Sequence, residues 1–344
     1  MKYKLKDIAK IKYGKNQKKV VFLNGNIPIY GTGGLMGYAK ESLYEKPSVL
    51  IGRKGTINKV RYVTHPFWTV DTLFYTIIDE KIIRPHYFYY LMTQINLLQL
   101  NEGTTIPSLR TETLNRIELE VPSLEKQDEI LSCVEPIEQK IELNQKINNN
   151  LEQQAQAIFD NMFPNISNGS YAIGDYITPK RGKSLLSKNA IFGDVPVIAG
   201  GLEPSTYHNV ANTQSPVLAI SASGANAGYV SLWNIPIWSS DSSYIDSSMT
   251  DDVYFWYVLL KKRQKEIFDA QTGSAQPHIY PQHIASMSVS NLDIEEVHSY
   301  TSIVTPIFKK IGHHKEENTR LASLRDTLLP KLMPGELDVS DIKL

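Results

Sequence analysis

A short basic segment follows an apolar run near residue 50. Its side chains are cations interleaved with neutral hydrogen-bonding groups: Arg53, Lys54, Lys59 and Arg61, with Thr56 and Asn58. Cationic side chains bind the phosphates of a nucleic acid, and polar side chains hydrogen-bond to base edges. The segment therefore predicts a nucleic-acid contact. Charge alone leaves one alternative open, which is a solvated surface that has no partner.

The sequence repeats itself. Trp68 recurs as Trp238, 170 residues later, and Tyr87-Phe88 recurs as Tyr254-Phe255, 167 residues later. At the position of the basic segment, the second copy carries small polar side chains and a tyrosine: Ser221, Ser223, Asn226 and Tyr229. A second basic cluster occurs near the start of each copy: Lys15, Lys18 and Lys19 in the first, and Lys180, Arg181, Lys183 and Lys188 in the second. Similar units with different loop chemistry predict two readers of two places on one extended partner.

No arrangement of side chains in the sequence predicts catalysis. Gly31-Thr32-Gly33-Gly34 lacks the third glycine of a dinucleotide site, and Gly52-Arg53-Lys54-Gly55-Thr56 lacks the residue order of a phosphate-binding loop. His313-His314 has no further ligand at metal-binding spacing, and Cys133 is the single cysteine. We therefore expect no enzyme activity, no metal and no cofactor, and we expect Cys133 to be a buried helical residue.

The overall composition is that of a globular protein with two domains. The 344 residues carry equal numbers of basic and acidic side chains, and two units of about 165 residues fit the usual domain size. There is no apolar run of the roughly 20 residues that a membrane span needs, and no signal-peptide pattern at the N-terminus. We therefore expect a cytoplasmic protein.

The basic segment and its counterpart in the second copy must be positioned by the strands and helices that precede the two long helical patterns. Residues 48–52 and 216–220 read as short buried strands, and residues 85–92 and 253–260 read as helices packed under a sheet. The predicted fold is α+β, with two repeated mixed α/β domains separated by two long helices. The predicted boundaries are 1–123 and 165–293 for the domains, and 124–164 and 294–344 for the helical regions, the last with a C-terminal tail.

Each helical pattern carries an apolar seam with alternating spacings of four and three residues, as in a coiled coil. The predicted seam residues are Val134, Ile137, Ile141, Asn144, Asn148, Leu151 and Ile158 in the first helix, and Val304, Ile307, Ile311, His314, Asn318, Leu321 and Leu328 in the second. One amphipathic helix alone would favour packing on its own domain. Because both seams become polar at the same position, we expect the two helices to pair with each other.

Connectivity favours an antiparallel coiled coil with pseudo-two-fold symmetry. The helix over residues 130–162 would span roughly 50 Å, which corresponds to roughly 10 to 15 base pairs of duplex DNA. Pro136 and Pro306 predict either that each long helix begins there or that it is kinked there.

The chain resembles the specificity subunits of Type I restriction-modification systems over essentially its whole length. The residues that carry the resemblance are Val49 to Ile57, Gly103 to Leu109, the Val121-Pro122-Ser123-Leu124-Glu125-Lys126-Gln127 segment before the first helix, and the ending Leu324 to Glu336. The second copy departs from the pattern, because Leu292-Asp293-Ile294-Glu295-Glu296-Val297 replaces the segment before the helix. The family has no invariant base-contacting motif, so the DNA-facing residues named above rest on charge and loop position.

The resemblance implies a non-catalytic subunit that binds double-stranded DNA. In that family, each recognition domain reads one half of a bipartite site, and the helical rod sets the spacing and docks two methyltransferase subunits. ATP-dependent restriction or translocase subunits join for cleavage. Two alternatives of other classes stay open: a catalytic methyltransferase or nuclease with a cryptic site, and a coiled-coil scaffold that does not bind DNA.

Overall fold

The computed structural model describes residues 1–273 and 276–339. The chain forms two compact units. Unit 1 joins Met1–Lys140 to the C-terminal segment from Arg320 onward, and unit 2 is Ile141–Thr319. The predicted C-terminal tail beyond Val339 lies outside the described residues. No helix within the described ranges is long and apolar enough to cross a membrane.

The part of unit 1 before the long helices is rich in short strands. The strands are β1 (Lys2–Lys4), β2 (Ala9–Tyr13), β3 (Ile27–Gly31), β4 (Gly34–Ala39), β5 (Ser48–Gly52), β6 (Val60–Val63), β7 (Trp68–Thr69), β8 (Leu73–Ile78) and β9 (Glu118–Glu120). The helices are α1 (Leu5–Ile8), α2 (Pro85–Thr93) and α3 (Thr111–Asn115), with a 3₁₀ turn at Leu97–Leu100. The sheets have the orders β2-β8-β5-β6, β4-β3-β7 and β1-β9.

The first long helix, α4 (Leu124–Met162), leads into unit 2, whose strand set matches that of unit 1. The strands are β10 (Tyr171–Ala172), β11 (Lys180–Arg181), β12 (Val195–Ile198), β13 (Thr206–His208), β14 (Val217–Ser221), β15 (Val230–Trp233), β16 (Trp238–Ser239), β17 (Ser242–Asp246) and β18 (Ser288–Val289). The helices are α5 (Val253–Lys262), α6 (Gln264–Asp269), α7 (Pro281–Ala285) and α8 (Ile294–Leu332), with 3₁₀ turns at Ile173–Asp175 and Ser187–Asn189.

The two units have the same sheet topology. The sheet orders in unit 2 are β11-β17-β14-β15, β13-β12-β16 and β10-β18. Each strand therefore corresponds to the unit 1 strand whose number is lower by nine. In both units the three-stranded sheet has one antiparallel and one parallel pair. The predicted repeated α+β fold is confirmed.

One of the two inner strands of each four-stranded sheet, β5 or β14, is buried on both faces, which explains its continuous apolar run. In β5, Val49 and Ile51 join the core that includes α2, whereas Leu50 packs on the other face with Phe67 and Leu73. In β14, alternate residues divide between two apolar clusters in the same way. The sequence predicted both strands and both helices beneath them, and β14 begins and ends one residue later than predicted.

Within unit 2, α4 and α8 pack antiparallel through the predicted polar seam residues. Asn144 Nδ2 lies 2.8 Å from Asn318 Oδ1, and Asn148 Oδ1 lies 2.7 Å from His314 Nδ1. The two pairs are related by the repeat, because Asn144 corresponds to His314 and Asn148 to Asn318. The predicted antiparallel pairing of the two helices is confirmed.

The apolar seam drifts relative to the predicted heptad positions. Phe159, Phe308 and Leu329 are buried, each one residue after the predicted Ile158, Ile307 and Leu328, which are only partly buried. A straight helix has 3.6 residues per turn and drifts about 20° per heptad from a 3.5-residue repeat. The helices therefore turn their buried face toward the core of each β-rich part.

Both long helices begin well before their prolines. Pro136 and Pro306 lie inside α4 and α8, so the prediction that a helix begins at either proline is wrong. Cys133 is buried in α4 as predicted.

A buried glutamine fixes the start of α4 in unit 1. Gln127 Oε1 accepts a hydrogen bond from the Arg84 main-chain N–H at 2.7 Å. Its Nε2 donates to the carbonyls of Ile82 at 3.0 Å and Pro122 at 2.9 Å. Unit 2 has Val297 at this position, 170 residues later, and Val297 is buried in its apolar core. The two units hold equivalent helix starts by different chemistry.

Candidate nucleic-acid interface

In unit 1 the basic segment after β5 is paired with a second loop that precedes α3. The Gly55 N–H donates to the Pro107 carbonyl at 2.8 Å, and the Leu109 N–H donates to the Arg53 carbonyl at 2.9 Å. Gly55 has a φ of +87°, a conformation that glycine adopts without strain. The pairing holds Arg53, Lys54 and Thr56 on a fixed backbone at the end of a buried strand.

The second loop adds residues that charge did not reveal. Thr104, Thr105 and Ile106 are exposed in it beside the basic segment. The repeat could have identified them, because Gly103 and Pro107 recur as Gly273 and Pro277. In the second copy, Ser274 and Ala275 lie outside the described residues.

A cavity of about 550 Å³ lies next to the basic segment in unit 1. Its lining includes Thr32, Asn58, Lys59, Arg61, Tyr62 and His86. The Arg61 guanidinium lies 5.2 Å from the centre of the Tyr30 ring, a cation–π contact that orients a cation while leaving its donors available. Asn58, Lys59 and Arg61, which the sequence predicted as contacts, are therefore brought together at one opening.

A histidine in this cavity is held by two carboxylates of α4. His86 Nδ1 lies 2.8 Å from Glu135 Oε1, and its Nε2 lies 3.0 Å from Glu138 Oε2. The ring stacks on Tyr62 and Tyr90, with centroid distances of 4.7 and 4.6 Å. Burial lowers the pKa of His86, but the hydrogen bonds that its ring donates to Glu138 and Glu135 outweigh this effect, so the pKa is raised above its ordinary value.

The first basic cluster lies beside the same part of unit 1. The Lys15 N–H donates to the Thr69 carbonyl at 2.8 Å, and the Arg53 N–H donates to the Thr72 carbonyl at 2.9 Å. The Trp68 indole N–H donates to the Lys15 carbonyl at 2.9 Å and fixes that backbone. Lys15 and Arg53 therefore flank one turn, and Lys18 and Lys19 are exposed just beyond it.

Unit 2 repeats the backbone of the paired loops with different side chains. The Gly224 N–H donates to the Pro277 carbonyl at 3.0 Å, and the Ile279 N–H donates to the Ala222 carbonyl at 2.9 Å. Gly224 has a φ of +82°. Ser223, which corresponds to Lys54, donates its hydroxyl hydrogen bond to Asp241. The frame is the same, and the cation is replaced by a small neutral donor.

Three of the predicted contacts in unit 2 need correction or qualification. Ser221 is only 3 % exposed as the last residue of β14, so we remove it from the proposed interface. Asn226 Nδ2 makes a long contact of 3.5 Å with the Gly200 carbonyl. Tyr229 is half-buried, and Lys261 Nζ lies 4.5 Å from its ring centre. Sequence reasoning missed Lys261, a cation whose pKa burial holds below its usual value.

The second basic cluster divides into exposed and paired cations. Lys180, Lys183 and Lys188 are exposed. The Trp238 indole N–H donates to the Lys183 carbonyl at 2.8 Å, as Trp68 does to Lys15. Arg181 differs, because its Nη2 lies 2.5 Å from Asp241 Oδ1. Its charge is therefore balanced within the protein.

Comparisons with known proteins agree with this architecture. A family profile described as "Type I restriction modification DNA specificity domain" matches residues 1–153. The chain is similar to the Type I restriction enzyme MjaIX specificity subunit of Methanocaldococcus jannaschii, at 24% identity over 87% of this chain and 80% of that protein. It is also similar to the Type I restriction enzyme HindI specificity subunit of Haemophilus influenzae, at 22% identity over 78% of this chain and 81% of that protein.

A solved structure has the same fold. It is the crystal structure of the Type I restriction-modification system S subunit from M. genitalium, with a TM-score of 0.58 and 20% identity over 97% of this chain and 96% of that one. With the repeated units and the paired long helices, these similarities lead to one assignment. The chain belongs to the specificity subunits of Type I restriction-modification systems, the non-catalytic subunits of these complexes that recognise DNA target sites.

Proposed function

We propose that each unit reads one half of a bipartite, asymmetric DNA site. The observation that supports this most directly is the repeated loop pair. Gly55 bonds to Pro107 in unit 1 and Gly224 bonds to Pro277 in unit 2, so both units present their loops on one kind of backbone. The side chains differ, with Lys54 in one and Ser223 in the other. Equal frames with unequal side chains suit two half-sites of different sequence.

In this proposal the long helices set the distance between the half-sites. They also bind two methyltransferase subunits, and ATP-dependent restriction subunits join the same complex in the cytoplasm. Residues 1–123 and 165–293 are the recognition domains, and residues 124–164 and those from 294 onward are the helical regions. The Asn144–Asn318 and Asn148–His314 hydrogen bonds support a fixed register of the two helices.

The first experiment removes the cations of one loop. The variant Arg53→Ala, Lys54→Ala, Lys59→Ala is produced with the methyltransferase subunits, and methylated adenines are mapped across the host genome. We expect the sequence preference at one half-site to relax and the other half-site to stay unchanged, because only the unit 1 loop is altered. The matched control, Lys6→Ala, Lys10→Ala, Lys81→Ala, removes three exposed lysines of unit 1 outside this loop. Equal relaxation of both halves, or of neither, contradicts the proposal.

The same variants test phosphate binding directly. Binding of the full chain to a 40-base-pair mixed-sequence duplex is titrated at several salt concentrations. The loop variant should reduce the slope of log affinity against log salt by up to about three, because each phosphate contact contributes about 0.9. A slope equal to that of the wild type would mean that these cations do not contact phosphates.

The second experiment shortens the helix pair. Residues 145–151 and 311–317 face each other in the register of the Asn144–Asn318 pair, so deleting both segments removes one heptad from each helix and keeps that pair. The deletion shortens each helix by about 10 Å, or about three base pairs. We expect the mapped gap between the half-sites to shorten by that amount. An unchanged gap in a folded, methylating complex contradicts the role in spacing.

A further inference from the structure

Unit 1 exposes a strip of large apolar side chains along the outer edge of its three-stranded sheet. Leu23 is 96 % exposed and Phe22 is 51 % exposed. The Phe22 N–H donates to the Tyr38 carbonyl of β4 at 2.9 Å, so these residues lie beside the exposed Tyr38 and Met36. Single exposed apolar residues are ordinary on a protein surface, but a contiguous group indicates an interaction site.

Unit 2 exposes a similar group at the equivalent position. Phe192 is 96 % exposed, and Ile191 and Tyr207 are also exposed. The Ile191 N–H donates to His208 Nδ1 at 3.0 Å, which places the segment beside β13, the counterpart of β4. The loops of the two units have diverged, yet both keep an exposed phenylalanine before equivalent strands, Phe22 before β3 and Phe192 before β12. The shared feature indicates a partner of the same chemistry for both units.

Positive charge accompanies the strip in unit 1. Lys18 and Lys19 precede it along the chain, and the Lys40 N–H bonds to the neighbouring Val20 carbonyl at 3.0 Å. The other end of β4 begins at Gly34, where a Cβ would lie 3.3 Å from Arg61 Nη2. The apolar strip therefore lies between two groups of cations. In unit 2, Lys188 precedes the apolar pair, and the acidic Asp194 follows it.

We infer that Phe22 with Leu23, and Ile191 with Phe192, are wedges that insert between base pairs of duplex DNA. The inference rests on the proposed DNA-reading function and adds how the duplex is deformed. Proteins that kink DNA insert apolar side chains at a base step while flanking cations hold the phosphates. Flexible steps cost less to unstack than stiff ones, so wedges select sequence without hydrogen bonds to bases. An apolar protein partner is the competing occupant, and the experiment distinguishes it.

The experiment measures unstacking. The full chain, without other subunits, is bound to a duplex recovered from a random-sequence pool, and unpaired or unstacked thymines are detected by permanganate. The variants are Phe22→Ser, Leu23→Ser for unit 1 and Ile191→Ser, Phe192→Ser for unit 2. Leu98→Ser is the control, because Leu98 is an exposed apolar residue of unit 1 elsewhere on its surface, at 52 % exposure.

We expect the wild type and Leu98→Ser to give two reactive steps, one in each half-site. Each double variant should lose the step of its own half and bind the duplex about tenfold more weakly, since an inserted side chain loses its burial. Unchanged reactivity and affinity in both double variants overturn the inference. In a second arm, the same variants are mixed with the methyltransferase subunits and co-purified; loss of that binding with intact DNA unstacking overturns the inference too and identifies a protein-docking surface. If the wild-type chain binds no duplex at all, the proposed function itself fails.

Discussion

The two units use one scaffold to present different chemistry. The main-chain bonds of the paired loops, Gly55 to Pro107 and Gly224 to Pro277, are the same in both. The side chains on that backbone change from a cation to a small neutral donor. Positions whose main chain makes the structure can diverge in side chain without cost to the fold. Main-chain hydrogen bonds therefore build the paired loops, and the side chains on that backbone differ between the two units.

The largest expected effect tests how each unit holds the start of its long helix. Exchanging the two buried residues gives Gln127→Val and Val297→Gln. The first leaves the Arg84 N–H and the carbonyls of Ile82 and Pro122 without partners, and the second buries an amide among apolar side chains. Each change should lower the free energy of unfolding by about 3 kcal/mol.

Urea denaturation would measure the loss of unfolding free energy, and hydrogen exchange would assign that loss to one unit. Glu125→Val is the control, since Glu125 is exposed in the first turn of α4. If Gln127→Val lowered the free energy of unfolding no more than this control, the hydrogen bonds of Gln127 would not hold the start of α4, and the two helix starts would be interchangeable.

The polar pairs of the helix seam give the next largest effect. Asn144→Leu leaves Asn318 without the 2.8 Å hydrogen bond and should cost about 2 kcal/mol. The double variant Asn144→Leu, Asn318→Leu should recover most of that loss, because an apolar pair replaces a polar pair of similar size. A double-mutant cycle measured by urea denaturation gives the coupling energy.

The repeat supplies the matched control for this cycle. Asn148 and His314 occupy the equivalent positions, with a hydrogen bond of 2.7 Å. Asn148→Leu should cost less than Asn144→Leu, because Asn148 is half-buried and Asn144 is fully buried. Two equal costs would mean that burial does not govern these pairs.

Local patterns in the sequence predicted the parts of this fold that are periodic. The spacing of four and three assigned Asn144 and Asn318 to one polar stretch of the helix pair, where they do form a hydrogen bond. Such a pattern is legible because a helical seam depends only on residues one turn apart. The predicted seam positions were wrong by one residue at Phe159, Phe308 and Leu329. A fixed seven-residue repeat does not follow a helix that has 3.6 residues per turn.

Contacts between residues far apart in the sequence could not be predicted from local sequence patterns. The His86 to Glu135 contact joins residues 49 positions apart, and the Arg181 to Asp241 pair spans 60. Burial of Ser221 was missed because the strand continues one residue beyond its apolar run. Charge and loop position therefore selected regions of the chain, but they could not predict which side chains in those regions are already bonded within the protein.

A smaller effect concerns the pH dependence that His86 gives to the stability of unit 1. The pKa of His86 is raised by its contacts with Glu138 and Glu135, against the lowering effect of burial. Protonated His86 then stabilises the fold fully below its ordinary pKa of about 6.5, and this stabilisation is lost as pH rises through the raised value. Unit 2 has Val253 at this position and lacks this contact. Its own pH dependence comes from a different histidine, His298, whose pKa is raised by its hydrogen bond to Asp252.

The variant His86→Phe keeps an aromatic ring between Tyr62 and Tyr90 but removes the charge. The difference in unfolding free energy between wild type and variant should be about 1 kcal/mol larger at pH 6 than at pH 9. Arg325 Nη1 lies 3.3 Å from Glu138 Oε1, so that carboxylate keeps a cation in the variant. His65→Phe is the control, at an exposed histidine of the same unit. An equal difference at both pH values would show that the charge on His86 does not stabilise unit 1.

The smallest expected effect concerns the ion pair between Arg181 and Asp241. The test is whether this pair keeps the Arg181 guanidinium from binding a DNA phosphate. The Arg181 and Asp241 side chains are 41 % and 37 % exposed, so their ion pair contributes little to stability. Asp241→Asn should leave the unfolding free energy within about 0.5 kcal/mol of the wild type and release a cation. Affinity for the mixed-sequence duplex should rise about twofold to threefold, with a salt slope steeper by about one contact.

Asp71→Asn is the matched control, because Arg53 Nη1 bonds to the main-chain oxygen of Asp71 at 2.9 Å and keeps that bond in the variant. If both variants leave the slope unchanged, Arg181 does not contact a phosphate, and the proposed cationic contacts of the second basic cluster are limited to Lys180, Lys183 and Lys188.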